Sequence, residues 1–374
     1  MLPVYSLGPE DPLQAAPHQP GIFKYRGLLP LKADTVPISL GEGSTPLVPA
    51  DRLATHAGVG RLLFKDETRN PTWSYKDRLA AVAVSVAAAD GADTVALAST
   101  GNHGAAAAAY AAFAGLRCVV LTMDSVPRTM KVLMQSLGAE VVALRSIAAR
   151  WQLLGEAVAE WGWVPLSGFL NPPVGSNPFG IDGYKTISYE IWEELHDVPD
   201  AVVVPTAYGD GLAGIERGFR DLVTLGLSSR VPRLVAVDPF GAYASALSHG
   251  GDNPEQVAIE RSVAFSVATP FATLQGLSAI RRTAGTAVAQ PSDAITIDAQ
   301  RRIASSCGLF LEMSSALCLP AVEELTKRGE LSAHDTVVCI ATSTGLKDLG
   351  AVDGLDDVPV IDPTLSDLDG ALRR

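Results

Sequence analysis

The chain has 374 residues, a formal net charge of −12, 47% hydrophobic residues and 19% charged residues. This composition is typical of a globular protein and excludes an intrinsically disordered one, and the length predicts two domains. The acidic balance argues against a nucleic-acid partner, because nucleic acids bind clustered Lys and Arg. We attribute the negative charge to solubility.

The sequence indicates neither secretion nor membrane insertion. The N-terminus lacks the basic and apolar regions of a signal peptide. The longest apolar run, Ala80–Ala89, is interrupted by Ser85 and is too short to span a bilayer. None of the four cysteines forms a CxxC pair or a Cys/His spacing that matches a zinc site. We therefore expect a cytoplasmic protein with free thiols and no metal ion.

Short apolar segments alternate with helical segments along the chain. The predicted strands, in chain order, are residues 94–99, 117–122, 139–144, 201–205, 233–238 and 336–342. The predicted helices are residues 79–89, 105–115, 130–137 and 214–226. Apolar strands of this kind are buried on both faces and are typical of parallel sheets. The pattern predicts the α/β fold class.

A lysine precedes the first apolar helix, in the segment Trp73-Ser74-Tyr75-Lys76-Asp77-Arg78. The N-terminus of a helix is the positive end of its dipole, so a protonated lysine gains nothing there. The position suits a lysine that is kept neutral or held as an imine, and the same helix end favours a ligand phosphate. An ordinary exposed lysine in a first helical turn is the alternative.

The loop Ser99-Thr100-Gly101-Asn102-His103-Gly104 joins a predicted strand to an alanine-rich helix. Its glycines and small polar residues leave backbone N–H groups free at a helix start, which is an anion site for a carboxylate or a phosphate. A simple helix cap is the alternative, but a cap needs only one such residue. The loop therefore favours ligand binding.

The segment Gly209-Asp210-Gly211-Leu212-Ala213-Gly214 reads G-x-G-x-x-G between a strand and a helix. With Asp238 at the end of a later strand, this pattern is also that of a dinucleotide-binding fold, so an NAD-dependent oxidoreductase is a rival hypothesis. The same turn binds a single phosphate through its backbone. A tight turn without a ligand is the third possibility.

A further polar segment, Thr342-Ser343-Thr344-Gly345-Leu346-Lys347-Asp348, follows the last predicted strand. Hydroxyls at the carboxyl ends of parallel strands face the crevice in which ligands bind. A capped turn between a strand and a helix explains this segment equally well when it is taken alone.

Together these segments resemble threonine synthase, within the fold type II (β-family) enzymes that depend on pyridoxal 5'-phosphate (PLP). The resemblance runs from about residue 20 to 348. It rests on the entry motif at residues 40–47, the lysine segment at 74–78, the Ser-Thr-Gly-Asn loop at 99–102, the Glu-x-x-Ser-Ala segment at 312–316 and the Thr-x-x-Gly-Leu-Lys-Asp segment at 342–348.

The resemblance implies a role for each segment. Lys76 is the Schiff-base lysine and, once displaced by the substrate amine, the base that removes the α-proton. The Asn102 amide bonds the ring hydroxyl of PLP, and Thr342 meets its pyridine nitrogen. The cofactor phosphate lies on the turn formed by Ala207, Tyr208, Gly209, Asp210 and Gly211. The substrate carboxylate is bound by Ser99, Thr100, Gly101 and His103.

Two departures from threonine synthases concern the substrate. Gly180 stands where those enzymes carry an arginine that grips the substrate phosphate, and His103 stands where they favour threonine. Loss of a bidentate guanidinium costs about 2–4 kcal/mol of phosphate recognition. We therefore expect β- or γ-elimination or replacement on an amino acid whose leaving group need not be phosphate. A serine/threonine dehydratase-type ammonia lyase is the closest alternative.

The resemblance also implies two doubly wound, mostly parallel domains with PLP in the cleft between them. We expect a large domain from residues 1–84 and 166–374, a small domain from residues 85–165, and a homodimer. An amino acid is the expected small-molecule partner, with neither nucleic acid nor membrane.

Overall fold

The computed structural model describes residues 19–250, 255–290, 292–351 and 358–372. The expected large domain extends at both ends beyond these residues. In this part of the chain there are ten strands: β1 Leu47–Pro49, β2 Arg61–Asp66, β3 Thr94–Ala98, β4 Arg117–Met123, β5 Glu140–Leu144, β6 Val164–Pro165, β7 Ala201–Pro205, β8 Arg233–Asp238, β9 Thr286–Ala289 and β10 Thr336–Ala341.

The same residues form fourteen α-helices. They are α1 Asp51–Ala57, α2 Lys76–Ala89, α3 Asn102–Phe113, α4 Arg128–Ser136, α5 Ile147–Trp161, α6 Pro178–Ile181, α7 Lys185–Leu195, α8 Asp210–Thr224, α9 Ala242–His249, α10 Leu274–Arg282, α11 Asp293–Cys307, α12 Met313–Ala316, α13 Cys318–Lys327 and α14 Leu365–Leu372. Among them, none combines the length and the apolar character needed to cross a lipid bilayer.

The strands form two sheets. The six-stranded sheet has the order β1-β2-β10-β7-β8-β9, and the four-stranded sheet has the order β5-β4-β3-β6. Every pair is parallel except β1 with β2. The predicted α/β class with mostly parallel sheets is therefore confirmed.

The large sheet is covered on both faces. Along β7, Val202 and Val204 belong to one hydrophobic core, whereas Ala201 and Val203 belong to another. Successive side chains of a strand point to opposite faces, so each core lies on its own side of the sheet. The first core continues into the small sheet through Val95 and Leu97 and joins the two sheets into one body.

The six predicted strands are all present, each within one residue at either end. The expectation that they are buried on both faces is wrong for β5, because it is an edge strand with Val142 48% exposed. Strands β1, β2, β6 and β9 were not predicted from the sequence. Three of them have two to four residues, and β2 carries charges that only distant partners neutralise.

Candidate active site

Lys76 is placed by the segment that leaves β10. The amide of Tyr75 donates to the carbonyl of Thr342 at 2.9 Å, and the amide of Thr344 donates to the carbonyl of Trp73 at 3.2 Å. These bonds lay residues 73–75 antiparallel to residues 342–344 at the carboxyl end of the large sheet. The first residue of α2 is thereby brought beside Thr342, although the two lie far apart in the sequence.

Buried charges fix the first turn of α2. Arg78 donates to both carboxylate oxygens of Glu67, at 2.7 Å each, and to both of Glu190, at 2.8 and 2.7 Å. Asp77 accepts from the amide and the hydroxyl of Thr72. Paired, hydrogen-bonded charges of this kind hold a side chain in one geometry. The two residues after Lys76 therefore act as its structural anchors.

The Lys76 amine lies in a largely apolar setting. Its nitrogen is 5.1 Å from the ring centre of Tyr75 and 5.6 Å from that of Tyr184. Burial lowers the pKa of the Lys76 amine, and the charge of Asp210 opposes this effect. A neutral amine is the form that accepts a proton or attacks a carbonyl.

In the loop before α3, Ser99 has a structural role and His103 is placed towards the cavity. The Ser99 hydroxyl accepts hydrogen bonds from the amides of Gly101 and Gly104, at 3.2 and 2.9 Å, so it caps the helix. His103 is 8% exposed, and its Nε2 has no hydrogen-bond partner among the described residues. Burial and the neighbouring Lys76 amine hold the pKa of His103 well below its usual range. A neutral imidazole therefore faces the site.

Asn102 connects three parts of the molecule. Its Nδ2 donates to Glu312 at 2.7 Å, and its Oδ1 accepts from Lys347 at 2.7 Å and from Ser343 at 3.2 Å. The bond to Glu312 uses one of the two amide hydrogens and leaves the other for a ligand. The side chain is thus oriented by the segments 312–316 and 342–348, although α3 packs with the four-stranded sheet.

The glycine turn leads directly into α8. Gly209 has a positive φ of 77°, and a Cβ at this residue would lie 2.7 Å from the Cα of Gly276. The sequence placed the start of this helix at residue 214; α8 in fact begins at Asp210, because the left-handed Gly209 starts the helix earlier. The first four N–H groups of a helix lack partners within it, so this turn can bind a phosphate.

The Asp210 carboxylate is turned towards protein donors. It accepts hydrogen bonds from the amide and the hydroxyl of Ser176, at 3.0 and 2.6 Å, and from Gln275 at 2.7 Å. These three donors and the positive end of α8 stabilise the negative charge. An acidic side chain in a phosphate turn is accommodated in this way.

Asp238, the acid of the rival dinucleotide hypothesis, has a structural role. One of its oxygens accepts from the amides of Phe240, Gly241 and Ala242 at the start of α9. Asp238 is 1% exposed and does not line the cavity that contains Lys76, which is described below. Gly214, the last glycine of the motif, packs against Ile181 and Tyr184. Asp238 is therefore not placed to bind a ribose in that cavity, so the dinucleotide interpretation of this motif is not supported.

Thr342 bounds the site on the side of the six-stranded sheet. Its hydroxyl lies 2.7 Å from that of Ser315, which also accepts from the amide of Ser343 at 3.2 Å. Segments 312–316 and 342–348, which the sequence singled out separately, are therefore in direct contact.

The predicted residues line one cavity of about 680 Å³, which lies at the carboxyl ends of β3, β7 and β10. All twelve predicted site residues line it: Lys76, Ser99, Thr100, Gly101, Asn102, His103, Ala207, Tyr208, Gly209, Asp210, Gly211 and Thr342. Parallel sheets bind ligands at this end.

Several cavity residues were missed by the sequence reasoning. They include Tyr75, Arg150, Trp151, Ser176, Ser314 and the segment 259–271. Tyr75 adjoins the lysine and was within reach of a local search. Ser314 lies in the segment 312–316 that the sequence singled out, whereas the others have no local signal, because only tertiary packing turns them towards the cavity.

Neither Gly180 nor Lys185, the nearest lysine along the same segment, is available to bind a substrate phosphate. A Cβ at Gly180 would lie 2.9 Å from the carbonyl oxygen of Leu79 and 3.0 Å from the Cβ of Ala83, so α6 rests against α2 with no room for a side chain. Lys185 is buried, donates to the carbonyl of Leu28 at 2.8 Å and pairs with Asp221. Neither Gly180 nor Lys185 lines the cavity.

The residues of the cavity fit PLP. A lysine amine of lowered pKa, an amide with a free hydrogen, a hydroxyl and a helix N-terminus preceded by a left-handed glycine lie around one space. A Cβ at Gly209 would lie within 3.0 Å of Gly276 and Tyr243, so the turn at which the phosphate group is expected needs glycine there. These are the chemical groups that hold a phosphorylated aldehyde.

Comparisons with known proteins agree with this geometry. Residues 38–343 match the family model described as pyridoxal-phosphate dependent enzyme. The threonine synthase of Methanosarcina acetivorans is 33% identical, over 91% of this chain and 84% of that protein. The threonine synthase of Mycobacterium tuberculosis is 32% identical, over 93% and 94%.

Solved structures show the same fold at lower identity. A threonine deaminase from Solanum lycopersicum superimposes with a TM-score of 0.68 at 21% identity, covering 88% of this chain and 82% of that one. Maize serine racemase gives a TM-score of 0.70 at 21% identity, covering 82% and 90%. The chain therefore belongs to the pyridoxal-phosphate dependent enzymes of fold type II, as a threonine synthase-like lyase or synthase that eliminates or replaces a group on an amino acid.

Proposed function

We propose that this enzyme acts at Cβ or Cγ of an amino acid other than O-phosphohomoserine. The observation that carries the proposal is Gly180, which stands where the resembled synthases hold substrate phosphate with an arginine. Here α2 occupies the space that such a side chain needs. Lys185 is committed to Leu28 and Asp221 and does not replace it.

The residue roles are part of the same proposal. PLP, when bound, supplies an electron sink for negative charge at the substrate Cα. Lys76 carries the cofactor and accepts the α-proton, a task that its lowered pKa supports. Residues 207–211 hold the cofactor phosphate, and Asn102 orients the ring. Thr342 faces the ring nitrogen with a hydroxyl, which cannot keep that nitrogen protonated and so favours elimination over transamination.

The substrate carboxylate is assigned to the loop before α3. Thr100, Gly101 and the neutral His103 imidazole line the cavity, while Ser99 keeps the loop in shape by accepting from the amides of Gly101 and Gly104. Backbone N–H groups at a helix N-terminus bind a carboxylate without a cationic side chain. The loop thereby positions Cα near the Lys76 amine.

A serine/threonine dehydratase-type ammonia lyase is the second candidate. His103 supports it, because dehydratases favour histidine at the position where the synthases favour threonine. This reaction yields a keto acid and ammonia with no added nucleophile.

Product analysis on purified holoenzyme tests these candidates. O-phospho-L-homoserine, O-acetyl- and O-succinyl-L-homoserine, O-acetyl-L-serine, L-serine and L-threonine are each incubated with the enzyme, and threonine, keto acid and ammonia are measured. We expect turnover of a substrate other than O-phosphohomoserine. Efficient formation of threonine from O-phosphohomoserine would refute the altered substrate, and keto acid from serine or threonine alone would favour the dehydratase.

The domain boundaries, the assembly and the location complete the proposal. Residues 85–165 contain all four strands of the sheet with the order β5-β4-β3-β6, which supports a small domain there and a large domain from residues 1–84 and 166–374. The free cysteines support a reducing cytoplasm. The homodimer rests on the family resemblance, and light scattering of the purified protein tests it.

A further inference from the structure

One arginine of the cavity lies outside the machinery described above. Arg150, in the first turn of α5, is 5% exposed and lines the cavity. Its Nε and Nη1 have no hydrogen-bond partner among the described residues. A buried guanidinium normally has its donors paired, because an unpaired buried charge is costly.

The surroundings of Arg150 make this cost larger. The positive end of the α5 dipole disfavours a cation in the first helical turn. Trp151, Tyr208 and Phe271 form an aromatic cluster beside it, with ring centres 6.3 Å apart in two pairs. Burial lowers the pKa of Arg150, and its interaction with Tyr208 opposes this effect. An anionic ligand would relieve all of these costs.

We propose that Arg150 binds an acid group at the end of the substrate's side chain and determines the specificity of the enzyme. The inference rests on the proposed function, since it assumes that an amino acid occupies the cavity. It adds a substrate class: amino acids whose side chain ends in an anionic acid group. Two adjacent guanidinium N–H groups can grip one such group in a bidentate manner.

Arg150 belongs to a different helix from the other anion sites of the cavity. Helix α5 packs on the four-stranded sheet, whereas the phosphate turn at residues 207–211 begins α8 beside the six-stranded sheet. The loop before α3 offers the site for the α-carboxylate. Arg150 therefore supplies a third anion site of the cavity.

Matched ligand pairs test the charge preference without turnover. L-glutamate and L-glutamine, or L-aspartate and L-asparagine, differ in one acid group at nearly constant size. Their binding to holoenzyme is measured by calorimetry for the wild type, Arg150→Met, Arg150→Lys and Arg145→Met. Arg145 is the control, because its side chain is 95% exposed and it does not line the cavity.

We expect the acid of at least one pair to bind about 10- to 100-fold more tightly than its amide in the wild type, the range of a charge-assisted hydrogen bond. The ratio should fall to near one in Arg150→Met, remain partly in Arg150→Lys and be unchanged in Arg145→Met. An unaltered ratio in Arg150→Met would overturn the inference.

Stability and cofactor retention separate the other roles that Arg150 can have. A ligand-binding role predicts that Arg150→Met unfolds at the same temperature as the wild type or higher, because it removes an unpaired buried charge. A lower unfolding temperature would assign Arg150 a structural role and overturn the inference. Weaker PLP retention with an intact acid-to-amide ratio would assign it to the cofactor phosphate and overturn it as well.

The ligand pairs also distinguish this inference from the proposed function. An acid preference that depends on Arg150, together with no turnover of any tested amino acid, supports the inference while the reaction assignment fails. Turnover of a neutral amino acid with no acid preference leaves the reaction assignment in place and overturns the inference.

Discussion

The Nδ2 of Asn102 donates a 2.7 Å hydrogen bond to Oε2 of Glu312, across 210 positions of sequence. The same amide accepts a 2.7 Å bond from Lys347. These contacts hold an amide at the start of α3 in one orientation inside the cavity. An amide that is held in one orientation can position a cofactor ring. The contacts of Asn102 with Glu312 and Lys347 therefore bear directly on cofactor binding.

Asn102→Ala should lower both stability and cofactor affinity. The substitution removes the hydrogen bonds of Asn102 with Glu312 and Lys347, which costs about 1–3 kcal/mol in the free energy of unfolding, and it should weaken PLP binding about 10-fold. Denaturant unfolding and PLP titration measure the two effects. Asn177→Ala is the control: it removes the cap of α6 at the amides of Phe179 and Gly180, outside the cavity. PLP affinity that falls equally in both variants would contradict the role of Asn102.

Lys76→Ala should abolish covalent attachment of the cofactor and lower kcat by about 10²–10⁴-fold, because one side chain carries PLP and accepts the α-proton. Borohydride reduction followed by peptide mass spectrometry should locate PLP on the peptide that contains Lys76. Lys131→Ala is the matched control, since Lys131 bonds the carbonyl of Asp124 on the surface. Attachment at another lysine would refute the assignment.

Gly209→Ala should distort the phosphate turn more than the cost of a positive φ alone would explain. A non-glycine residue in the left-handed region costs about 1–2 kcal/mol. The added Cβ would also lie 2.7 Å from Gly276. Gly226→Ala is a matched control, with a φ of 73° and nothing within 4 Å of its Cβ. PLP affinity should fall only in Gly209→Ala, and equal affinities in both variants would contradict the phosphate turn.

Gly180→Ala should destabilise the protein by about 1–3 kcal/mol, because the added methyl group meets Leu79 and Ala83 across a closed interface. Gly370→Ala, in helix α14 with nothing within 4 Å, should be neutral or stabilising, as expected for a helical glycine in open space. Thermal unfolding of the two variants checks this contrast. A stable Gly180→Ala would show that the interface can open and would weaken the argument against a phosphate-binding side chain there.

Lys347 should make stability depend on pH. Burial lowers the pKa of its amine to about 8 from the ordinary 10.5, with Glu312 and Asp77 opposing the shift. Between about pH 8 and 10.5 the unfolded chain therefore binds a proton that the folded chain lacks, so the contribution of Lys347 to stability rises with pH.

Comparison with Lys347→Met isolates this effect. The free energy of unfolding of the wild type minus that of the variant should rise from pH 8 to 10.5 and should be level below pH 7. Denaturant unfolding at intervals of one pH unit measures the difference. Parallel curves for the two proteins across this window would contradict a lowered pKa in the folded state.

Much of the site could be predicted because its residues stand at the ends of recognisable strands. Lys76 precedes an apolar helix, and the Ser99–His103 loop, the turn at 207–211 and Thr342 each follow an apolar strand. Those signals are local, so the sequence by itself determined the fold class and twelve residues of one cavity, while its resemblance to threonine synthases indicated the cofactor. The same local reading left Asp238 open as a ribose ligand, because a buried cap and an exposed acid look alike in sequence.

Tertiary structure alone decided what depends on distant partners. The bonds of Asn102 to Glu312 and Lys347, the protein donors around Asp210 and the packing of Gly180 on α2 all join residues far apart in the chain. Arg150 is the clearest case, since an arginine in a helical first turn carries no signal until its Nε and Nη1 prove to lack a hydrogen-bond partner among the described residues. Periodicity predicts which face of a helix or strand is buried, but it does not predict which side chains contact each other there. Those contacts determine which charges of the cavity are neutralised, which donors and acceptors are paired, and how much space is left for a ligand.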